Sequence, residues 1–354
     1  MRELGSPLRR AGRLLAPINL SIITLVLLLS IVCLLVNGED SNKDFNVFRA
    51  LSYEDMNAAI LDLGARHPSS VKVSVAQEEL GLPSPGLCGA NRTLPCQTLI
   101  MRVTNFDTYE AEKETRPEIY ISGALHGNER VGPHAALELA RILVESDNPW
   151  VKRLLNTRLV VITPLTNSLG FDRNAREEGN IDPNRDYPID QDPALCMRTI
   201  TSRITNELFR NHLFQVAITF HGGMEAIAME WGTLSRLKKN LHKSPDDFAL
   251  MQLAGGLSKF AGSVNPFGRN YPVGRMNDLV YPVEGGSMFE FQSDRLRDST
   301  TNLFSISPKQ WKTGHTQVTG TRYLEDNRAI PRRLASIPPL KRHTRMTCFE
   351  RSTF

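Results

Sequence analysis

His126 and Glu129 stand three residues apart in IYISGALHGNERVGPHAALELARIL (residues 119–143), between an apolar run and an amphipathic one. On a helical turn, side chains three apart face the same way. The pair would then supply two of the three protein ligands that a catalytic zinc takes, leaving a position for water. Alone, such a pair is more often an ordinary turn, so a third donor is the test. His221, in QVAITFHGGMEAIAMEWG, again follows directly on an apolar run and is again followed by glycines. Together the three make a His2Glu set suited to zinc. Gly123 and Gly127 are expected to let the backbone turn sharply and approach a ligand closely.

Between these donors lies TPLTNSLGFDRNAREEGNIDPNRDYP, which gathers Arg173, Arg176, Arg185 and Asn184 in a Gly- and Asp-rich loop. Guanidinium groups stay charged and bind carboxylates through two parallel hydrogen bonds. Beside a metal, such a loop suits an anionic substrate or a developing oxyanion. Without the flanking donors, a solvated charged loop would be the better reading.

These residues need a frame that brings strand ends together. FRALSYEDMNAAILDLGARHP repeats apolar residues at three and four and reads as a helix; VKVSVAQEELG reads as a strand. TLIMRVTN, EIYISGAL, LVVITPLTN and QVAITFHGG are further strands, and PHAALELARILVES is a helix with proline in its first turn. Several of the strands are apolar on both faces and they alternate with helices. The expectation is an α/β fold, a single domain with a central, mostly parallel mixed sheet flanked by helices. Ligands of such sheets sit at the carboxyl ends of the strands, where both histidines fall.

The order HGNE, DPNRD, TFHGG and YPVEGGS resembles the zinc carboxypeptidases of the carboxypeptidase A type over residues from about 50 to 287. The resemblance implies one zinc ion held by His126, Glu129 and His221. It implies capture of a substrate's terminal carboxylate by Asn184 and Arg185, with Tyr281 closing over it. Arg176 matches the oxyanion arginine of the family, and Arg173 is the alternative. The implied substrates are peptide or protein C-termini. Zinc would polarise the scissile carbonyl and lower the pKa of its bound water.

The pattern breaks past Ser287. The family places a glutamate on a later strand to take the proton from the zinc water and pass it to the leaving amine. In this chain only Glu290, Glu325 and Glu350 follow, none at a matching place, and Met288 stands where the family has its pocket-floor residue. Two other functions therefore compete. One is a carboxypeptidase-like binding protein that keeps zinc and carboxylate capture without turnover. The other is an amidohydrolase of the aspartoacylase or desuccinylase kind, against which Tyr281, Gly285 and Gly286 speak.

The organisation expected from composition is threefold. Residues 1–40 carry four arginines ahead of the apolar run 18–36, which reads either as a cleaved signal peptide or as a membrane anchor that leaves the domain outside the cytoplasm. Residues 44–287 form the catalytic-type domain. Residues 288–354 hold 12 Lys+Arg against 6 Asp+Glu, a basic segment without amphipathic period, expected to pack poorly. Because the whole chain is +4, the remainder is 4 − 6 = −2, so nothing points to nucleic acid. In a secreted chain disulfides are permitted, and Cys88 with Cys96 is the expected pair, bracketing a loop with the glycosylation sequon Asn91-Arg92-Thr93. Cys196 reads as an unpaired buried thiol. The sequence is silent on oligomeric state.

Overall fold

A computed structural model describes residues 50–187, 196–238, 240, 242–262, 269–287, 303–306 and 317–320. Its centre is three parallel strands: β5 (Glu118–Ser122) lies between β6 (Leu159–Thr163) and β7 (Phe214–Phe220). All of β6 and all but the first residue of β5 are buried, which is why both read as unbroken apolar runs. In register, Ser122 lies opposite both Thr163 and Thr219, so β5 and β6 finish level and β7 runs one residue further.

Strands in mostly antiparallel pairings extend this centre. Beyond β6 come β4 (Leu99–Val103) and the edge strand β1 (Val71–Val75). Beyond β7 the order continues through β11 (Gln317–Gly320), β10 (Leu303–Ile306), β8 (Ile227–Met229) and β9 (Val273–Arg275), with β10 also pairing parallel to β7 and with β8 and β9 of the far edge parallel to each other. The nine-stranded sheet is therefore mixed and flanked by helices, as expected.

Alternation along the strands splits the core in two. Ile121 and Ile162 face a cluster with Met56, Ile60 and Leu63 of α1 (Tyr53–Arg66), Leu139 of α4 (Val131–Glu145) and Leu253 of α9 (Asp247–Ala261). Tyr120 and Val161 face the other cluster, with Ile204 and Leu208 of α7 (Ile200–Asn211). A period of two thus buries one strand face under each helical layer.

Two local expectations change. VKVSVAQEELG is not one strand: it stops at Val75 and becomes the short helix α2 (Ala76–Leu80), closed by Gly81 in the left-handed conformation at φ 66°. Glu78, Glu79 and Leu80 are good helix formers and Gly81 suits a helix C-terminus, so local propensity breaks the strand. The other change concerns cysteines. Cys88 and Cys96 are bonded, Cα atoms 4.8 Å apart, across the hairpin β2 (Leu87–Cys88) and β3 (Leu94–Pro95). Cys196 is disulfide-bonded too and is not the free thiol expected. Pairing depends on tertiary Cα separations that spacing alone does not reveal.

Among the described residues no helix is long and apolar enough to cross a membrane, and the run 18–36 lies outside them. Of residues 288–354 only β10 and β11 are described. Glu290, Glu325, Glu350 and Met288 all lie outside the described residues.

Candidate metal centre and carboxylate pocket

Four residues past the end of β5, His126 opens a turn in which the Glu129 amide donates to the His126 carbonyl at 3.1 Å. The helix α4 starts only at Val131, so the pair faces one way because of a turn, not a helix. Its glycines also work differently from the expectation. Gly123 and Gly127 do not take positive φ; Ala124 does, at 48°. A Cβ on Gly127 would lie 1.9 Å from the Gly170 carbonyl carbon, and one on Gly123 2.7 Å from the Pro133 nitrogen. What these glycines permit is contact between backbones, and the turn is thereby wedged against α6 (Ser168–Arg173).

The wedge brings three donors together. His221 follows directly on β7, and its Nδ1 lies 2.9 Å from Glu129 Oε2 and 3.2 Å from His126 Nδ1. His126 Nδ1 is 2.8 Å from Glu129 Oε1. All three residues are buried, and their ligand atoms lie within 4.8 Å of one another. Donors sharing a tetrahedral zinc at about 2.0–2.1 Å would stand about 3.3 Å apart, so this set fits one ion after a slight expansion.

The electrostatics agree with the geometry. Burial pushes the Glu129 carboxyl up, but the two histidines more than offset this and hold it well below the usual carboxylate range. Burial lowers His221, the net direction for that ring. For His126 burial also lowers, but Glu129 and Asp182 outweigh it and the net shift is upward.

Asp182 is the functional residue that motif reading passed over. One oxygen accepts from His126 Nε2 at 2.9 Å and from the Asn184 amide at 2.8 Å. The other accepts from Arg176 Nε at 3.1 Å and Nη2 at 2.9 Å. Fixing Nε2–H on a carboxylate turns the Nδ1 lone pair of His126 toward the cluster, the arrangement that orients metal-binding histidines. The signal was present in DPNR, where an aspartate beside a proline reads first as a helix cap; Asp182 does cap the 3₁₀ turn Pro183–Arg185.

One pocket is lined by His126, Glu129, Arg176, Asn184, His221 and Tyr281, with Gly222, Met224, Ala226 and Val280 as walls. Arg176 enters it because its carbonyl accepts from the Gly127 amide and from Asn167 Nδ2. Arg173, by contrast, is exposed in the last turn of α6. Asn184 is buried, and its Oδ1 accepts from the Ser287 amide at 2.8 Å, which leaves Nδ2 as its remaining donor. Tyr281 is half-exposed at the mouth. Arg185 is not among the lining residues; its guanidinium donates to the Asn184 carbonyl. The apolar walls carried no signal in sequence, since Met, Ala and Val there look like any core.

The model of the zinc carboxypeptidase family matches residues 94–317, a span that contains every residue of this site. A direct search of curated proteins finds no match. Among solved structures, carboxypeptidase A from Helicoverpa armigera is similar at 16% identity, covering 75% of this chain and 68% of its own, with a TM-score of 0.53. Bovine thrombin-activatable fibrinolysis inhibitor, solved in complex with tick carboxypeptidase inhibitor, is similar at 15% identity, covering 68% and 80%, with a TM-score of 0.50. At those identities the likeness is one of fold, and the family model is what assigns membership. With the donors in place and the match spanning them, the chain belongs to the zinc carboxypeptidase family, which uses one zinc.

Proposed function

We propose that this chain is a zinc-dependent metallocarboxypeptidase that removes residues from peptide C-termini. The observation that carries the reading is the single pocket joining the three-donor cluster to Arg176, Asn184 and Tyr281. Zinc held by His126, Glu129 and His221 would supply a Lewis acid and acidify water at neutral pH. Asn184 Nδ2 donates to the terminal carboxylate, Arg185 adds positive charge from behind it, and Tyr281 covers the mouth. Arg176 faces the carbonyl oxygen as charge develops on it.

A second reading, carboxylate binding without turnover, is favoured by one observation. Among the described residues, Glu129 is the only carboxylate lining the pocket, and it belongs to the ligand set. The later strands that pair with β7 read LFSI and QVTG and carry no glutamate. Zinc analysis of the purified chain together with release of amino acids from N-blocked dipeptides separates the readings. Zinc with release supports the first, zinc with dipeptide binding but no release supports the second, and absence of zinc sinks both.

The domain organisation and compartment inferred from sequence stand as part of this proposal: a leader or anchor at 1–40, the catalytic-type domain inferred at 44–287, whose sheet also takes in β10 and β11 from beyond that bound, and export into an oxidising compartment. The bonded Cys88 and Cys96 support it, and so does exposed Asn91 at the tip of the hairpin they staple. A mobility shift on endoglycosidase treatment, lost in Asn91→Gln, is the expected outcome; no shift in secreted material would remove that support.

A further inference from the structure

The segment 176–187 presents Arg176, Asp182, Asn184 and Arg185, yet its only helical turn is the three residues Pro183–Arg185. Something other than secondary structure must fix it. Two acidic side chains stand at its two ends, and both are buried: Glu178 is 7% exposed and Asp186 0%. Both point at the first turn of α7. Glu178 accepts from the Ile200 and Thr201 amides and from Thr201 Oγ1, the last at 2.6 Å. Asp186 Oδ2 accepts from the Thr199 amide at 2.7 Å, Thr199 Oγ1 at 2.9 Å and Ser202 Oγ at 2.7 Å, and Arg198 Nε lies 3.4 Å from its other oxygen.

We infer that Glu178 and Asp186 are positioning residues, which set the carboxylate-capturing loop by clamping both its ends to the amino terminus of α7. The amides of a first helical turn lack partners within the helix and carry partial positive charge, so two buried carboxylates find both hydrogen bonds and a favourable field there. Their spacing brackets Asp182, Asn184 and Arg185. Burying a carboxylate is costly unless each is fully hydrogen-bonded, and here several donors converge on each. Neither side chain lines the pocket, so both act through the loop they hold. Thr201 Oγ1 also approaches the Thr166 carbonyl at 3.4 Å, linking the clamp to the segment that leaves β6.

The inference rests on the reading of the pocket as a carboxylate site, and its test keeps the two apart. Full-length chain and the variants Glu178→Gln, Asp186→Asn and Thr201→Val are compared in three measurements. These are zinc affinity by chelator competition, affinity of the zinc-loaded chain for an N-acetylated amino acid, and amide hydrogen exchange over residues 176–187 without metal. The clamp predicts faster exchange in this segment in each variant. It also predicts acetyl-amino-acid affinity reduced about tenfold or more in Glu178→Gln and Asp186→Asn, the scale of a lost buried hydrogen bond to a charged group. Zinc affinity changes less, because the three donors lie outside the loop and a loosened loop still keeps the Asp182 carboxylate that bonds to His126. Thr201→Val removes one hydroxyl and keeps both acids, so it stays informative if the acid variants fail to fold. Unchanged exchange in the variants that fold overturns the clamp, as does an equal loss of zinc and carboxylate affinity. If the wild-type chain binds zinc but no acetyl-amino acid, the carboxylate reading fails while the exchange data still decide the clamp.

Discussion

The two halves of the pocket are rigid for different reasons. The metal half hangs from β5 and β7, whose buried apolar residues fix the strand ends, and from glycines that let backbone touch backbone. The other half, proposed to take a carboxylate, is built from two irregular segments tied by polar contacts: the Tyr187 amide to the Gly285 carbonyl at 3.0 Å, and the Ser287 amide to Asn184. Steric exclusion positions the first and hydrogen-bond satisfaction the second. The first should therefore fail when volume is added, and the second when a donor or acceptor is removed.

The largest effect is expected from Gly127→Ala. The added methyl would meet main-chain atoms of Gly170 and Phe171, which cannot rotate aside. We expect a loss of about 3 kcal/mol or more in urea unfolding, at the upper end for overpacking, with zinc binding lost alongside. Wild-type stability in this variant would show that the turn is not wedged at all, and the contrast between the halves would collapse.

Asp182→Asn comes next and probes the seam. It keeps the shape but weakens acceptance from His126 and Arg176. Zinc affinity in chelator competition should fall by about 10–100-fold, the usual scale for removing the partner of a metal-binding histidine. Unchanged affinity would mean that the metal half is held by its strands alone.

Glu145→Gln is the smallest effect and a control outside both halves. Arg66 first, then Arg141, holds Glu145 down to about 2. With a folded pKa below the ordinary 4.5, its contribution is present above about pH 4.5 and fades as pH falls toward 2. Because Glu145 and both arginines are partly exposed, the effect should be small and weaken with salt, read as the stability difference between wild type and variant across that range. Zinc affinity should not move; a change would show that the outer face of α4 reaches the site.

What could be read beforehand followed the same division. His126, Glu129 and His221 were legible because strand ends in an apolar α/β pattern are predictable and few residue types bind zinc there. Asn184 stands out in its arginine-rich loop but, like Tyr281, takes a role only from the order of a family pattern; both line the pocket, whereas Arg185 does not. Asp182 escapes motif reading because its task depends on what lies across from it, not on its neighbours. In sequence the glycines suggest the approach of a ligand, whereas the backbone that Gly123 meets is Pro133 and the one Gly127 meets is Gly170, 43 residues on in the chain. The bond at Cys196 and the switch from strand to helix at Ala76 likewise depended on tertiary distance and on local propensity that a motif search does not weigh.

Asp182 gives the two halves a common member, since the same carboxylate orients His126 and pairs with Arg176. Occupancy of one half then changes the field and the slack available to the other, which amounts to a coupling free energy between two binding events. Thermodynamic linkage makes such coupling reciprocal: whatever factor zinc contributes to the affinity for a carboxylate ligand, that ligand must return to zinc. A chelator titration repeated with and without acetyl-amino acid would read this factor directly, whether or not the chain turns over a peptide.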